Sequence, residues 1–146
     1  MPRDDFSCCH RLRVRWAEVD MQKIVFNGHY LTYLDTAIAE YWRAIELPYP
    51  QGYIARYASD IFLRKASIEY LGSARYEDEL DVHCRASRLG RSSVTFLFEI
   101  WRGASELLIT AELVYVNAHP DSRAAVPLPE DFRQRVLRFE RTAPLQ

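Results

Sequence analysis

The chain has 146 residues, of which 49% are hydrophobic and 27% charged, and its formal net charge is -1. These values predict a single domain over residues 1–146, and the net charge disfavours a general nucleic-acid binder, which would need a strongly basic face. No stretch reaches the ~18 apolar residues of a membrane-spanning helix, and the first residues lack a secretory signal pattern. We therefore expect a cytoplasmic protein with no membrane span and no nucleic-acid partner.

The cysteines and histidines predict neither disulfides nor a metal site. Cys8 and Cys9 are adjacent, which leaves Cys84 as the distant partner for a disulfide, and we expect all three to be reduced thiols. The four histidines show no two-ligand spacing with each other or with the cysteines, such as the pairs that mark zinc sites. We predict no metal and no cofactor.

The first predicted strand covers residues 10–16, which alternate with the period of a half-buried strand. Its two faces are, in turn, apolar and basic: Leu12, Val14 and Trp16, then Arg11, Arg13 and Arg15. The arginines could form a nucleic-acid stripe, but a solvated sheet face is the better interpretation because the chain has no net basic charge. The phase changes at Ala17 and Val19, so we expect a bulge or the strand's end just before Asp20.

The longest helical pattern runs over residues 30–45 and is apolar on most sides. Its apolar positions are Tyr30, Leu31, Leu34, Ala37, Ile38, Tyr41, Trp42 and Ile45. The pattern ends before Pro48, which cannot continue a helix. At its start Asn27 and Gly28 both suit the N-cap position, so unpaired backbone N–H groups should point into the loop that holds Asp20. A carboxylate and a positive helix terminus are therefore expected to share one small space.

The remaining chain predicts a packed loop, four more strands and a short terminal helix. Residues 47–57 contain two prolines, a glycine and three tyrosines, too irregular for a regular element and too aromatic for a disordered linker. The strands are predicted over residues 61–71, 80–87, 93–100 and 107–116, and the helix over residues 130–139. The last strand is apolar on both faces, as in a central strand or one covered by another subunit. This order predicts an α+β fold, an antiparallel sheet of about five strands curled around the central helix.

Several short motifs occur one after another along residues 10–132. Asp20 is followed after three residues by Ile24-Val25, then by Phe26 and by Tyr30 at the start of the helix. The other motifs are Ile68-Glu69-Tyr70-Leu71, Glu77-Asp78-Glu79-Leu80, Leu89-Gly90-Arg91-Ser92-Ser93 and Pro127-Leu128-Pro129. In order and spacing this sequence resembles the 4-hydroxybenzoyl-CoA thioesterase branch of the hotdog-fold family, which includes short-chain acyl-CoA thioesterases of bacteria.

The resemblance implies a hotdog fold and thioester hydrolysis. It gives Asp20 the role of nucleophile or general base, and it gives the backbone N–H of Asn27 the role of polarising the thioester carbonyl. Gly28 is a second candidate N–H donor. Tyr30 and three residues around the turn at Gly90 are the substrate-binding candidates: Arg88, Arg91 and Ser92. At least one arginine is expected to contact a CoA phosphate, and ordinary solvated turn charges are the equal alternative.

Two positions in the loop depart from the family pattern. Lys23 stands where family members often have glycine, and it could face solvent or pair with Asp20 or with a substrate carboxylate. Asn27 stands where many members have histidine or tyrosine, although a backbone donor does not depend on the side chain. His29 is an accessory candidate for a base, but its position is more typical of a helix-entry residue. No serine has the Gly-x-Ser-x-Gly setting of a serine hydrolase.

Two functions follow from these patterns and the resemblance. The first is an acyl-CoA thioesterase that releases free acid and CoA, with CoA as part of the substrate. The alternative is a non-catalytic hotdog protein that binds acyl-thioesters or CoA, which Lys23 keeps open. The doubly apolar last strand and the resemblance together predict a homodimer or homotetramer. The aromatic side chains of Tyr53, Tyr57 and Phe62 suit an aromatic or short aliphatic acyl group.

Overall fold

The alternating segments of the sequence form one antiparallel sheet in the computed structural model, which describes residues 3–146. The strands are β1 (Cys8–Arg13), β2 (Asp60–Tyr70), β3 (Glu79–Leu89), β4 (Ser93–Arg102) and β5 (Glu106–Ala118). Their order in the sheet is β1-β3-β4-β5-β2. The helices are α1 (His29–Ala44), α2 (Gln51–Tyr57) and α3 (Glu130–Phe139). The predicted α+β architecture is confirmed, with a five-stranded antiparallel sheet and the long helix packed against it.

Helix α1 forms the centre of the core because apolar residues cover most of its circumference. Its buried residues are Tyr30, Tyr33, Leu34, Ala37, Ile38, Tyr41 and Trp42. The Tyr41 ring packs edge-on against Phe96 of β4, with ring centroids 5.0 Å apart, and Trp42 contacts the same ring at 6.0 Å. Each fully buried side chain of this size stabilises the fold by about 1.5–3 kcal/mol relative to an exposed one. The predicted central helix is confirmed to within one residue at each end.

The first strand ends earlier than predicted, and the prediction that Trp16 lies on its buried face is wrong. β1 stops at Arg13, and Trp16 opens a 3-10 turn (Trp16–Glu18) in which its side chain is 73% exposed. The turn forms because the Glu18 carboxylate accepts hydrogen bonds from the Arg15 N–H and from Arg15 Nε, both at 2.8 Å. These local bonds compete with the strand ladder and turn the chain toward α1.

The prediction of a loop over residues 47–57 is wrong in one respect, because Gln51–Tyr57 forms helix α2. Proline is tolerated at a helix start, so Pro50 does not prevent this helix. Gly52 allows a close approach of the chain, since a Cβ there would lie 2.7 Å from Cδ of Pro48. The expected packing is present: Tyr53 is buried and its hydroxyl donates to Oδ1 of Asn117 at 2.8 Å.

Strand β5 lies between β4 and β2, which matches the first of the two positions that its apolar faces predicted, a central strand or one covered by another subunit. Among residues 3–146, strand β2 pairs only with β5, so it forms an edge of the sheet. Most of β2 is exposed, and the large side chains Leu63 and Tyr70 are among its exposed residues. Among residues 3–146, no helix is long and apolar enough to cross a membrane.

Glu140, at the end of α3, is a buried carboxyl group that joins three elements. It accepts hydrogen bonds from the Tyr41 hydroxyl of α1 at 2.6 Å and from the Ala86 N–H of β3 at 2.8 Å. Burial raises the pKa of Glu140, and the bonds from Tyr41 and Ala86 only partly oppose this shift. The folded state therefore holds the proton of this carboxyl more tightly than the unfolded chain does.

We predict that Glu140→Gln changes how stability depends on pH. The contribution of protonated Glu140 is fully present below the unfolded pKa of ~4.3 and is lost as the pH rises through the raised folded pKa. Glutamine keeps an acceptor for Tyr41 and Ala86 but does not titrate. The unfolding free energy of the wild type relative to Glu140→Gln, measured by urea denaturation, should fall from about pH 4 to about pH 8, by about 1.4 kcal/mol per unit of pKa shift. Glu130→Gln, at an exposed carboxylate of α3, is the control for the loss of a surface charge, and a flat difference for Glu140→Gln would contradict the prediction.

Candidate active site

The loop that precedes α1 closes on itself through backbone hydrogen bonds. The Asp20 N–H donates to the Ile24 carbonyl at 3.0 Å, and the Lys23 N–H donates to the Asp20 carbonyl at 2.9 Å. Lys23 has a φ of 65°, in the left-handed region that favours glycine. The glycine that resembling proteins often carry here would thus meet a backbone requirement. The Lys23 side chain is exposed and forms no ion pair with any residue of 3–146, which favours its solvent-facing interpretation.

Two further bonds attach this loop to the rest of the fold. The Val25 N–H donates to the Ala74 carbonyl, and the Phe26 N–H donates to the Glu18 carbonyl, both at 2.9 Å. Glu18 is itself buried and accepts a hydrogen bond from the Tyr33 hydroxyl of α1 at 2.8 Å. Although burial opposes it, the bonds from Arg15 and Tyr33 hold the pKa of Glu18 below its usual range. An ionised carboxylate inside the fold therefore fixes the loop relative to α1.

The Asp20 carboxylate lines a small cavity, and one of its two oxygens accepts no hydrogen bond within residues 3–146. Its Oδ1 accepts a hydrogen bond from the Gln22 N–H at 2.8 Å, the geometry of an Asx turn. Within residues 3–146, Oδ2 has no hydrogen-bond donor. The cavity measures about 230 Å³ and is also lined by Asn27, Tyr30 and Tyr70. The carboxylate is half-buried, so it can reach a ligand in the cavity without losing all contact with water.

The start of α1 has two unpaired backbone donors, those of Asn27 and Gly28, and Asn27 lines the same cavity as Asp20. The N–H of His29 donates to Phe26 and the N–H of Tyr30 donates to Asn27, at 2.9 and 3.4 Å. In contrast, the N–H groups of Asn27 and Gly28 have no acceptor among residues 3–146, and Gly28 at the N-cap has no side chain to cap the helix. Free N–H groups at the positive end of a helix stabilise negative charge. The predicted proximity of Asp20 and the helix terminus is therefore present in the structure.

Two tyrosines form the opposite wall of the cavity. Tyr30 is buried, its hydroxyl accepts from the Ala74 N–H at 3.0 Å, and burial raises its pKa, so the group stays neutral. The Tyr70 hydroxyl donates to the Asn27 carbonyl at 3.2 Å, and its ring packs against Tyr30 with centroids 5.7 Å apart. Tyr70 and the neighbouring Gly72 and Ser73 were not predicted from the sequence. Their approach to the loop depends on the position of β2 in the sheet, for which the sequence has no local signal.

The remaining predicted residues lie outside this cavity. His29 is half-buried and packs against the Phe26 ring, with centroids 5.9 Å apart, and it does not line the cavity. Arg88, Arg91 and Ser92 lie at the opposite end of the sheet. Leu80 pairs with Leu12, close to the end of β1 from which the chain continues to Asp20. Because a strand advances ~3.3 Å per residue, Arg88 lies about 25 Å further along β3 than Leu80. A single chain therefore does not bring these residues to Asp20.

The turn that holds Arg91 is nonetheless well supported. The Leu128 N–H donates to the Arg91 carbonyl at 2.8 Å, and the Asn117 N–H donates to the Ser92 carbonyl at 2.7 Å. The side chains of Arg88 and Arg91 are exposed and have no ion-pair partner among the described residues. Both guanidinium groups are thus free to meet an anion.

Comparison with known proteins places the chain in a family. The model of the thioesterase superfamily matches residues 22–109, from the loop after Asp20 to the first half of β5. A protein of Aquifex aeolicus (strain VF5) that carries the name of a proposed esterase is 29% identical over 93 residues, which are 64% of this chain and 71% of that protein.

Solved thioesterase structures share the fold. A thioesterase from Thermus thermophilus, crystallised with coenzyme A and zinc, is 25% identical with a TM-score of 0.80, covering 94% of this chain and 96% of that one. A 1,4-dihydroxy-2-naphthoyl-CoA thioesterase from Synechocystis is 22% identical with a TM-score of 0.80, covering 88% of this chain and 94% of that one. The chain belongs to the thioesterase superfamily and is a thioester hydrolase with the hotdog fold.

Proposed function

We propose that the protein hydrolyses acyl-CoA thioesters to a free acid and CoA, with Asp20 as nucleophile or general base. The observation that carries this proposal is the cavity that the half-buried Asp20 carboxylate shares with Asn27, whose backbone N–H has no acceptor among the described residues. Gly28, the next residue at the helix start, has a second unpaired N–H. Thioester hydrolysis needs a nucleophile or base beside the carbonyl carbon and donors for the oxyanion that forms on its oxygen. Asp20 supplies the first, and the N–H groups of Asn27 and Gly28 supply the second.

Thioester hydrolysis can follow two routes that use the same groups of the protein. In the nucleophilic route, a carboxylate oxygen of Asp20 bonds to the carbonyl carbon, the C–S bond breaks, and CoA leaves as thiolate. Water then hydrolyses the resulting anhydride and restores Asp20. In the general-base route, Asp20 takes a proton from water as its oxygen attacks the carbonyl carbon, and the proton passes to the departing CoA sulfur. In both routes the Asn27 and Gly28 N–H groups hold the oxyanion, and the Tyr30 hydroxyl forms part of the substrate wall.

The position of Lys23 argues against the alternative function, a protein that binds acyl-thioesters without hydrolysing them. Lys23 forms no ion pair within residues 3–146, and its exposed side chain does not neutralise Asp20. The reaction needs no cofactor beyond the CoA that the substrate carries, and this absence, like the cytoplasmic location, stays a prediction.

We predict that Asp20→Asn lowers kcat at least ~100-fold, the lower scale of a general base. Asparagine keeps the acceptor for the Gln22 N–H, so the free energy of unfolding should change by about 1 kcal/mol or less. Affinity for a non-hydrolysable thioether analogue of the substrate should be retained. The measurements are kcat on the best substrate of an acyl-CoA panel, the melting temperature, and calorimetric binding of the thioether.

Asp121→Asn is the matched control for this change, because Asp121 is an exposed loop aspartate outside the cavity. It should keep wild-type kcat. Retained kcat in Asp20→Asn would remove Asp20 from the chemistry. A wild type that binds the thioether but hydrolyses no thioester would instead favour the non-catalytic alternative.

A second copy of the chain is needed to complete the proposed substrate site. The open edge of β2 can pair antiparallel with itself, which places the Asp60 end of one strand beside the Tyr70 end of the other. Ser93 and Phe62 both pair with Val116, so the Arg91 turn lies at the Asp60 end of the sheet. Self-pairing of β2 would therefore carry the turn of one copy toward the Asp20 cavity of its partner. The exposed Leu63 and Tyr70 would be covered in the same step.

We predict a homo-oligomer built from such dimers. Light scattering at micromolar concentration should give the mass of two or four chains. The physical reason is that an unpaired edge strand with large apolar side chains is stabilised by pairing and burial. A monomer with intact thioesterase activity would contradict both the oligomer and the shared site.

We also predict that Arg91→Ala raises KM for CoA thioesters by ~10-fold or more, since hydrogen bonds to charged groups contribute ~1.5–3 kcal/mol. KM for the corresponding pantetheine thioester, which lacks the nucleotide phosphates, should change much less. Steady-state kinetics on the two substrates checks this. Arg138→Ala removes an exposed arginine of α3 and should leave both KM values unchanged. Equal increases on the two substrates for Arg91→Ala would show that the arginine does not contact the nucleotide.

A further inference from the structure

The loop that carries Asp20 is a short hairpin of residues 18–26. Two hydrogen bonds join its arms, one from the Phe26 N–H to the Glu18 carbonyl at 2.9 Å, and one from the Asp20 N–H to a carbonyl of the opposite arm at 3.0 Å. Asp20 lies on the first arm, and Asn27 directly follows the second. The distance between the proposed nucleophile or base and the proposed oxyanion donor therefore depends on the shape and position of the 18–26 hairpin.

The side chain of Glu18 joins the first arm of this hairpin to α1. Glu18 is 7% exposed, and its Oε1 accepts a hydrogen bond from the Tyr33 hydroxyl at 2.8 Å. Tyr33 is itself buried, in the second turn of α1. The other two hydrogen bonds to this carboxylate come from Arg15, which lies before the hairpin. Among the described residues, Tyr33 is thus the residue of α1 that bonds to the Glu18 carboxylate.

A buried carboxylate of this kind contributes geometry more than stability. Its desolvation offsets much of the gain from its partners, and apolar side chains often replace such groups without loss of stability. A buried polar network whose members are all hydrogen-bonded does, however, restrict them to one arrangement. Glu18 holds Tyr33 through its carboxylate and the Phe26 N–H through its carbonyl, so the bond to Tyr33 also restricts the hairpin.

The second arm of the hairpin reaches α1 by a separate route. The Val25 N–H donates to the Ala74 carbonyl at 2.9 Å, and the Ala74 N–H donates to the Tyr30 hydroxyl at 3.0 Å. Each arm therefore has its own attachment to a tyrosine of α1. Because the second attachment stays in place, loss of the Tyr33 bond should shift the arm with Asp20 relative to the other arm.

We propose that the Tyr33 hydroxyl and the Glu18 carboxylate position Asp20 for the reaction, through the first arm of the 18–26 hairpin. The inference rests on the proposed thioesterase function and deepens it. Neither residue lines the Asp20 cavity, so both act through the hairpin and not on the substrate. The reaction depends on the relative placement of the attacking group and the oxyanion donors, and a misplacement of ~1 Å can lower the rate ~100-fold. Loss of the Tyr33 bond should consequently lower kcat more than it lowers affinity.

The test compares Tyr33→Phe with Tyr41→Phe. Tyr33→Phe should lower kcat about 10-fold on the best substrate of an acyl-CoA panel and change affinity for the thioether analogue less than about twofold. Tyr41→Phe is the matched control, because Tyr41 is a buried tyrosine of the same helix whose hydroxyl donates to the buried Glu140 at 2.6 Å. The melting temperatures of both variants should fall to a similar extent, since each loses one buried hydrogen bond, but Tyr41→Phe should keep kcat within about twofold.

Glu18→Gln tests the same bond from its other partner. An amide oxygen still accepts from the Tyr33 hydroxyl, and the exposed Arg15 side chain can turn to water when its acceptor is lost. The kcat of Glu18→Gln should therefore lie closer to that of the wild type than the kcat of Tyr33→Phe does. A lower kcat in Glu18→Gln than in Tyr33→Phe would assign the effect to the charge of Glu18 and overturn the role of Tyr33.

Hydrogen exchange, measured by mass spectrometry, separates this inference from the proposed function. Amide exchange in the 18–26 hairpin should accelerate about 5-fold in Tyr33→Phe, the effect of one hydrogen bond on local opening, and should not accelerate in Tyr41→Phe. If the wild type hydrolyses no thioester but exchange shows this difference, the hydrolytic proposal fails and the attachment through Tyr33 stands. If turnover occurs and Tyr33→Phe lowers kcat no more than Tyr41→Phe does, the positioning role is overturned.

Discussion

The burial of α1 within the sheet is the constraint on which the other features of this protein depend. Because Tyr41, Trp42 and their neighbours pack on the strands, the helix cannot slide or rotate, and its first turn is held at one place at the end of the sheet. That first turn has no side-chain cap. Two backbone N–H groups consequently remain available at a fixed position, which is the condition for stabilising a charge that forms only during a reaction.

The loop before α1 is held by interactions that a short sequence motif does not reveal. Glu18 is buried against Tyr33 and accepts from Arg15, and its carbonyl accepts from the Phe26 N–H. Lys23 occupies a left-handed conformation that costs a residue with a Cβ about 1–2 kcal/mol. The rest of the fold must stabilise this conformation, and the bond between Val25 and Ala74 is part of that support. The loop is therefore shaped by the helix, the turn after β1 and the end of β2 together.

The residues proposed for the reaction and those proposed to bind CoA lie at opposite ends of the sheet. The carboxylate, the helix terminus and Tyr70 lie at one end, and the exposed arginines of the β3–β4 turn lie at the other. The open edge of β2 runs between these ends, so the proposed pairing of two copies through it would bring opposite ends together by symmetry.

The sequence by itself determined the strands, helices α1 and α3, and the part of the proposed site that the loop before α1 forms. Alternation and helical periodicity depend on side chains a few residues apart, and they predicted the five strands, α1 and α3. The order of Asp20, Asn27 and Gly28 before the helix predicted the meeting of carboxylate and helix terminus. Trp16 and helix α2 were predicted incorrectly because Glu18 and the close approach at Gly52 act through contacts that periodicity does not record. The strand order and the cavity wall formed by Tyr70 were decided only by the tertiary structure, since each joins residues that are distant in the chain and adjacent only after the sheet has formed.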